Sequence, residues 1–277
     1  MKKKLIAGMA LVLLKSSVPA AEAEVLRDIV YGHKDGMALV MDVFQPNGNA
    51  NGAGVVLVMS GGFNSSLDAQ RTFIEPYMEQ YLDAGFTLFA VRHRSNPRYQ
   101  IPDAYRDVTQ AMEFIGVHAQ EYGVDPRRFG VWGINAGGYL SLLVGLAETT
   151  LDGQARRFRP AAVVAYMAPA GNAIRPPTPD NIAEAPYLDY ERSPELDAQL
   201  ITLTHVSPDD PPVRLVHGNA DETVPVTESE RMHAALKEAG AVTALVVIED
   251  GRHVAFEGEG EKNADAAWLD WFHKYVR

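Results

Sequence analysis

The sequence contains no cysteine, and this absence removes several classes of chemistry at once. Disulfide bridges, thiolate metal sites, iron–sulfur clusters and a cysteine nucleophile are all excluded. Basic residues are also scarce, with 25 Lys and Arg against 36 Asp and Glu and a formal net charge of −11. Nucleic acids and anionic membranes bind basic surfaces, so neither is an expected partner. With 277 residues, 47% of them hydrophobic, the chain can form one large globular domain.

The sequence has no apolar run long enough to span a bilayer, and its most notable apolar stretch lies at the N-terminus. Lys2–Lys4 precede the apolar stretch Leu5–Leu14, and an Ala-Glu-Ala sequence ends at Ala23. A basic start, a short apolar core and small residues at a cleavage site are typical of a secretory signal peptide, although a buried N-terminal helix is the alternative. We therefore expect residues 1–23 to be removed near Ala23. Residues 24–277 would then form a single secreted or periplasmic domain with no integral membrane segment.

Strand and helix patterns alternate along the remaining chain. Residues 25–44 show the alternation and glycine turns of an antiparallel hairpin at a sheet edge. Apolar runs typical of strands buried on both faces follow at 55–59, 86–91, 129–133, 161–167, 213–218 and 243–249. Helical spacing of apolar residues indicates helices at about 73–85, 104–122, 136–146, 226–239 and 262–275. This order predicts an α/β fold with a mostly parallel, doubly wound sheet and helices on both faces.

Residues 169–212 differ in composition from the rest of the chain. They contain nine of the 17 prolines, and eight acidic residues against two arginines. This composition is compatible with a disordered linker, but the segment lies between two predicted core strands, where a cap or lid insertion is commoner. We expect a short cap that covers the pocket and sets substrate choice.

A tight turn between a predicted strand and a predicted helix carries the strongest functional signal. It reads Gly133-Ile134-Asn135-Ala136-Gly137, with small residues on both sides of Asn135. Such residues let the backbone turn sharply and hold the central side chain out at a helix N-terminus, as in a nucleophile elbow. A dinucleotide-binding loop is the competing interpretation, but Asn135 stands where its second glycine belongs. The elbow is therefore favoured, with Asn135 at the nucleophile position.

Three further segments at predicted strand ends support the elbow. The turn Ser60-Gly61-Gly62-Phe63 fits an oxyanion loop, in which the N–H of Gly62 or Phe63 would act together with that of Ala136. Asp221 follows one later strand and His253 follows the last one. Alone, each is compatible with a helix cap or a surface histidine. Their order after the elbow is the order in which this type of site places its acid and its histidine.

These segments resemble those of α/β-hydrolases, especially secreted esterases, lipases and dienelactone-hydrolase-like proteins of the feruloyl- or acetylxylan-esterase type. The similarity extends to YGVDPRRF before the elbow strand, HGNADETVP around Asp221 and GRHVAF around His253. The resemblance implies serine-type hydrolysis of small-molecule or carbohydrate-linked carboxylic esters. It implies His253 as general base, Asp221 orienting it, and no metal or organic cofactor. Two departures stand out: Ser60 replaces the histidine that often precedes the glycines, and Asn135 replaces the nucleophilic serine.

The carboxamide of Asn135 has no ionisable hydroxyl and cannot form an acyl-enzyme. Losing the nucleophile of a triad costs about 10⁶ in turnover, so hydrolysis is expected to be absent or very weak. Three explanations stay open: an engineered inactive variant, a natural pseudoenzyme, or deamidation to an aspartate nucleophile. A secreted, non-catalytic ligand-binding protein is therefore the alternative function. The sequence does not indicate an oligomeric state.

Other noticeable residues have structural interpretations. His217 is expected to be a packed histidine rather than a base. Arg92, His93, Arg94 and Arg98 are expected in a solvated loop, with a small anion site as the alternative. The eight histidines show no ligand spacing, so zinc is not expected. Three aromatic residues at helical spacing near the C-terminus should lie in the core: Trp268, Trp271 and Tyr275.

Overall fold

The computed structural model describes residues 24–73, 75–170, 186–253 and 268–276. Within them, eight strands form one sheet in the order β1-β2-β4-β3-β5-β6-β7-β8. The pairs β1–β2 and β2–β4 are antiparallel and all others are parallel. The strands are β1 (Glu24–Lys34), β2 (Met37–Gln45), β3 (Gly54–Met59), β4 (Thr87–Arg92), β5 (Phe129–Ile134), β6 (Ala162–Tyr166), β7 (Val213–Gly218) and β8 (Thr243–Ile248).

Helices alternate with these strands. They are α1 (Leu67–Phe73), α2 (Glu75–Asp83), α3 (Ile101–His118), α4 (Ala136–Leu146), α5 (Pro194–Leu200), α6 (Thr227–Ala239) and α7, described over 268–275. Short 3₁₀ turns occupy Ala119–Tyr122, Pro186–Leu188 and Thr202–His205. No helix among the described residues is long and apolar enough to cross a bilayer.

The predicted strands and the edge hairpin are confirmed. β1 and β2 pair through the turn at Asp35 and Gly36, which both have positive φ (51° and 77°), and β1 is an edge strand. The helix predicted over 73–85 is described over Glu75–Asp83 as α2, α1 ends at Phe73, and residue 74 between them lies outside the described residues.

Three predictions fall partly or wholly on residues that the structure does not describe. The proposed signal peptide (1–23) lies outside the described residues and stays a prediction. Only 268–275 of the helix predicted at 262–275 and only the two ends of the cap segment, 169–170 and 186–212, are described.

Two apolar layers enclose the sheet because successive strand residues point to opposite faces. Val56 and Val58 of β3 pack toward α3 and α4, whereas Val55 and Leu57 pack toward α2 and α7. Trp268 and Trp271 are buried in the second layer, as predicted, and Tyr275 packs partly buried against it. The doubly wound arrangement brings the carboxyl ends of β3, β5, β7 and β8 to one edge, where ligands bind in such sheets.

Close packing at this edge requires glycine at position 137. A Cβ on Gly137 would lie 2.3 Å from the Val58 carbonyl oxygen, far inside van der Waals contact. We expect Gly137→Ala to lower the free energy of unfolding by about 2 to 4 kcal/mol, because strand β3 or helix α4 must shift. Urea unfolding measures the change.

Gly61→Ala is the matched control, because a Cβ on Gly61 meets no described atom within 4 Å. Its unfolding midpoint should stay close to that of the parent chain. Equal midpoints for the two variants would contradict the packing argument.

Candidate active site

The turn between β5 and α4 holds Asn135 in a strained backbone conformation. Its φ and ψ are 54° and −122°, a region that residues with a Cβ enter only at a cost. Hydrogen bonds on both sides hold the turn: Asn135 N donates to Tyr166 O (2.8 Å), and Tyr139 N donates to Asn135 O (3.0 Å). A Cβ on Gly133 would lie 2.3 Å from the Gly137 carbonyl oxygen, so this close turn also depends on a glycine there.

The Asn135 carboxamide makes two hydrogen bonds with the residues predicted around it. Its Nδ2 lies 2.5 Å from Nε2 of His253, and its Oδ1 accepts from the Ala136 N–H. An amide nitrogen can only donate, so Nε2 of His253 acts as the acceptor. On the other side of the ring, Nδ1 lies 2.7 Å from Oδ2 of Asp221. A neutral His253 with its proton on Nδ1 satisfies both contacts.

Asp221 is fixed from two directions, and its side chain is fully buried. Its Oδ1 accepts from the N–H groups of Thr223 (2.9 Å) and Val224 (2.8 Å), which leaves Oδ2 for His253. The loop after β7 therefore holds the Asp221 carboxylate in position through Oδ1, independently of the contact that Oδ2 makes with His253.

His217 is a packed structural histidine, as predicted. Its ring is fully buried, with Nε2 2.8 Å from Val224 O and Nδ1 2.7 Å from the Ser229 hydroxyl. A carbonyl only accepts, so the proton is on Nε2. Burial lowers the pKa of His217 below its ordinary value, which keeps the ring neutral. Nε2 also lies 3.4 Å from Oδ2 of Asp221, so the ring packs behind the acid.

The glycine turn after β3 lies beside the elbow. Gly62 and Phe63 both have positive φ (54° and 59°), and the Gly137 N–H donates to Ser60 O at 3.0 Å. No described residue accepts a hydrogen bond from the N–H of Gly62 or Phe63. The Ala136 N–H, the third predicted oxyanion donor, is already bonded to Asn135.

Asn96, which the sequence analysis did not identify, holds this turn in place. Its Nδ2 donates to Gly62 O (2.6 Å), and its backbone N–H donates to Phe63 O (3.3 Å). The ring of Phe63 is held in turn by Tyr139 and Tyr187, with centroids 5.6 and 4.8 Å away. Contacts to backbone carbonyls leave no sequence motif, and for this reason Asn96 could not be identified beforehand.

A cavity of about 290 Å³ opens between the elbow and the glycine turn. Its wall is mainly apolar, with Asn135 and His253 at one side. The lining comprises Val58, Met59, Ser60, Gly61, Gly62, Asn64, Ala69, Ile134, Asn135 and His253. A small apolar group fits this space. No group of three potential metal ligands occurs among the described residues.

The described ends of the cap segment contact the glycine turn and helix α4. Tyr187 packs on Phe63, Tyr139 donates to Leu200 O (2.5 Å), and the Thr202 hydroxyl donates to Ala170 O. No described residue of this segment lines the cavity itself. That the segment controls substrate choice stays a prediction.

The expectation of a solvated loop after β4 is wrong for three of its four residues. Arg92 is the last residue of β4, and its side chain is only 10% exposed. Arg94 and His93 are buried, and Arg94 makes a bidentate pair with the Asp107 carboxylate at 2.9 Å. The carboxylate lies on α3, and a pairing across the fold cannot be read from neighbouring residues in the sequence. Arg98 is exposed, as expected.

Comparison with known proteins identifies the family of this chain. The BD-FAE family matches residues 41–236, which include the elbow and Asp221. The chain belongs to the BD-FAE family.

Named relatives of this BD-FAE chain are esterases. The probable carboxylic ester hydrolase LipM of Mycobacterium tuberculosis is 29% identical over 220 residues, which cover 73% of this chain and 49% of LipM. Esterase LipQ of the same organism is 25% identical over 240 residues, covering 83% of this chain and 57% of LipQ. The chain thus spans about half the length of these relatives.

Solved structures with the same fold are also esterases. A truncated carbohydrate esterase from gut microbiota superposes with a TM-score of 0.74 at 20% identity, covering 93% of this chain and 98% of that one. The apo form of Thermogutta terrifontis esterase 2 gives 0.69 at 24% identity, covering 91% and 92%. The predicted α/β-hydrolase fold is confirmed.

Proposed function

We propose that this chain is a BD-FAE protein with a largely intact ester-binding site that Asn135 makes hydrolytically inactive. The carboxamide bridges Nε2 of His253 and the N–H of Ala136, and this contact carries the proposal. In a serine hydrolase, the attacking hydroxyl contacts the histidine, and an amide next to it stabilises the oxyanion. Asn135 thus occupies both positions with one side chain.

This side chain blocks two parts of the reaction. It supplies no hydroxyl for attack on an ester carbonyl, so His253 has no proton to remove. It also engages the Ala136 N–H, which would otherwise stabilise the developing negative charge. The second effect was not anticipated from the sequence, because it follows from the direction in which the carboxamide oxygen points.

The remaining parts are in place for serine-type chemistry. In the mechanism that we propose for a serine at this position, His253 takes the serine proton through Nε2 and Asp221 stabilises the resulting imidazolium. The oxygen of the tetrahedral intermediate would accept hydrogen bonds from Ala136 and from Gly62 or Phe63. The base, the acid and these amides are all supplied by this chain and need no metal or organic cofactor.

The proposed ligands are carboxylic esters with a small acyl group. The apolar cavity of about 290 Å³ supports this size, and the esterase relatives support the chemical class. We propose that the alcohol part of the ester is linked to a carbohydrate, because a carbohydrate esterase has the same fold. We also propose that residues 1–23 direct export of the protein. N-terminal sequencing of the exported chain tests cleavage near Ala23.

Ligand binding without turnover is the second candidate function. The retained cavity beside a complete Asp221–His253 pair favours it, since binding requires shape and hydrogen bonds but no nucleophile. Under this function the parent chain binds short esters and never releases acid. Activity gained by Asn135→Ser supports a hydrolase that lacks only its nucleophile, whereas no gain supports a site that only binds.

Asn135→Ser should create esterase activity. The hydroxyl restores the nucleophile, and the loss of the carboxamide frees the Ala136 N–H. We expect hydrolysis of acetyl or butyryl p-nitrophenyl esters to rise by at least about 10³-fold over the parent chain, part of the loss expected for a missing nucleophile. The release of p-nitrophenol measures it, and the intact mass of the parent tests whether Asn135 is deamidated.

Three control variants test whether the gain in activity depends on the serine hydroxyl and on His253. Asn135→Ala frees the same amide without adding a hydroxyl and should stay inactive. In the serine background, His253→Ala should abolish the gain, whereas His118→Ala, at the end of α3 and paired with Glu121, should retain it. A folded Asn135→Ser protein that hydrolyses no short ester would contradict the triad and favour the binding function.

Asn96 should act as a positioning residue for the same reaction. In the serine background, Asn96→Ala removes the hydrogen bond to Gly62 O, so the turn no longer holds its amides toward the oxyanion. We expect kcat to fall by about tenfold or more while KM changes by less than about twofold, because the oxyanion forms only after binding. Steady-state kinetics measures both constants.

The matched control is Asn49→Ala, because Asn49 also donates from Nδ2 to a backbone carbonyl, that of Asp83, at 2.7 Å. It should leave kcat unchanged. If the two variants lose kcat equally, or if Asn96→Ala changes KM alone, the positioning role is wrong.

A further inference from the structure

The buried carboxylate of Asp221 faces two histidine rings, although the mechanism above uses only one of them. Its Oδ2 lies 2.7 Å from Nδ1 of His253 and 3.4 Å from Nε2 of His217. His253 reaches the cavity, whereas the His217 side chain is completely buried. Titratable groups with perturbed pKa values concentrate at functional sites, so a buried ring against the acid calls for a role.

Two contacts fix the proton of His217. Its Nε2 lies 2.8 Å from the carbonyl oxygen of Val224, which can only accept. Burial lowers the pKa of His217, so the ring is neutral and carries a single proton, on Nε2. Nδ1 is therefore an acceptor, and the Ser229 hydroxyl, 2.7 Å away, donates to it. The hydrogen bonds thus run in one direction, from Ser229 through His217 to Val224.

Val224 connects these hydrogen bonds to the acid. Its carbonyl oxygen accepts from His217, and its N–H donates to Oδ1 of Asp221 at 2.8 Å. The residue that holds one carboxylate oxygen is therefore held by His217. The other oxygen, Oδ2, faces the same Nε2–H at 3.4 Å, a longer contact that places a positive hydrogen beside the negative charge in a buried environment.

The His217 ring has a fixed position next to both loops of the site. His217 is in β7, Ser229 is in α6, and both residues are fully buried. The following residue, Gly218, packs so closely that a Cβ on it would lie 2.1 Å from the carbonyl oxygen of Gly251, two residues before His253. The strand end that leads to the acid is therefore packed tightly against the loop that leads to the base.

We propose that His217 and Ser229 form a positioning pair that holds Asp221 in the orientation from which Oδ2 bonds to His253. Neither residue of the pair lines the cavity, and His217 transfers no proton. Ser229 acts through His217, because its hydroxyl keeps the His217 proton on Nε2. The effect of the pair on turnover rests on the proposed function. The contact between Asp221 and His253 exists in the parent chain and is observable there without turnover.

The ¹⁵N shifts of His253 in the parent chain test the pair, read through its carbon-bound ring protons and assigned with His253→Gln. We expect His217→Phe, which keeps a ring but removes the donor, to move both shifts toward the average of the two neutral tautomers. Asp221 would then no longer hold the Nδ1 proton. His217→Gln keeps an N–H donor and should restore parent-like shifts. Ser229→Ala should give a smaller change in the direction of His217→Phe, since the ring keeps its contact with Val224.

Thr243→Val is the matched control, because the Thr243 hydroxyl also lies near Nδ1 of a histidine, His233 of α6, at 3.1 Å. It should leave the His253 shifts unchanged. Parent-like shifts in Ser229→Ala and His217→Phe, or an equal change in Thr243→Val, would overturn the proposal. Should urea unfolding show that the phenylalanine variant does not fold, Ser229→Ala alone decides, and parent-like shifts in it would overturn the proposal.

In the Asn135→Ser background, the pair should affect turnover rather than binding. We expect His217→Phe to lower kcat by about tenfold or more and to change KM by less than about twofold, because Asp221 matters most when His253 becomes an imidazolium. His217→Gln should recover most of the loss. A change in KM alone, or an equal loss of kcat in Thr243→Val, would contradict the positioning role. An inactive Asn135→Ser protein would contradict only the proposed function, since the shifts of the parent chain do not depend on hydrolysis.

Discussion

The strained turn at Asn135 is the constraint on which the site depends. A positive φ at a residue with a Cβ persists only when the surrounding structure enforces it, and here β5, β6 and α4 do so through backbone hydrogen bonds. Glycine at 133 and 137 is required because any Cβ there would meet backbone atoms. The turn presents one side chain to His253, and every other group of the site is arranged around that point.

Asparagine makes the hydrogen bond to His253 that this position requires, but it cannot supply a nucleophile. Its Nδ2 donates to His253 as a serine hydroxyl would, so the histidine keeps the tautomer that a base requires. Its Oδ1 accepts a hydrogen bond from the Ala136 N–H, so this N–H is no longer free to bind an oxyanion. The same contacts that make the site well ordered therefore account for its proposed inactivity. A fold and a pocket typical of esterases are compatible with this state because neither depends on the nucleophile.

Much of this arrangement could be predicted from sequence because its signals are local. Buried strands read as continuous apolar runs, and the elbow, Asp221 and His253 follow strands in a recognisable order. What could not be predicted depends on contacts between distant segments. The pairing of Arg94 with Asp107 and the bonds from Asn96 to the glycine turn belong to this class.

The most direct measurement of the central claim is the protonation of His253 in the parent chain, observed by ¹⁵N NMR of histidine-labelled protein and assigned with His253→Gln. The account predicts a proton on Nδ1, with an Nε2 shift that changes when Asn135→Ala removes the carboxamide. His217, whose proton is on Nε2, serves as the internal reference of opposite tautomer. A proton on Nε2 of His253, or an Nε2 shift that is insensitive to Asn135→Ala, would contradict the account.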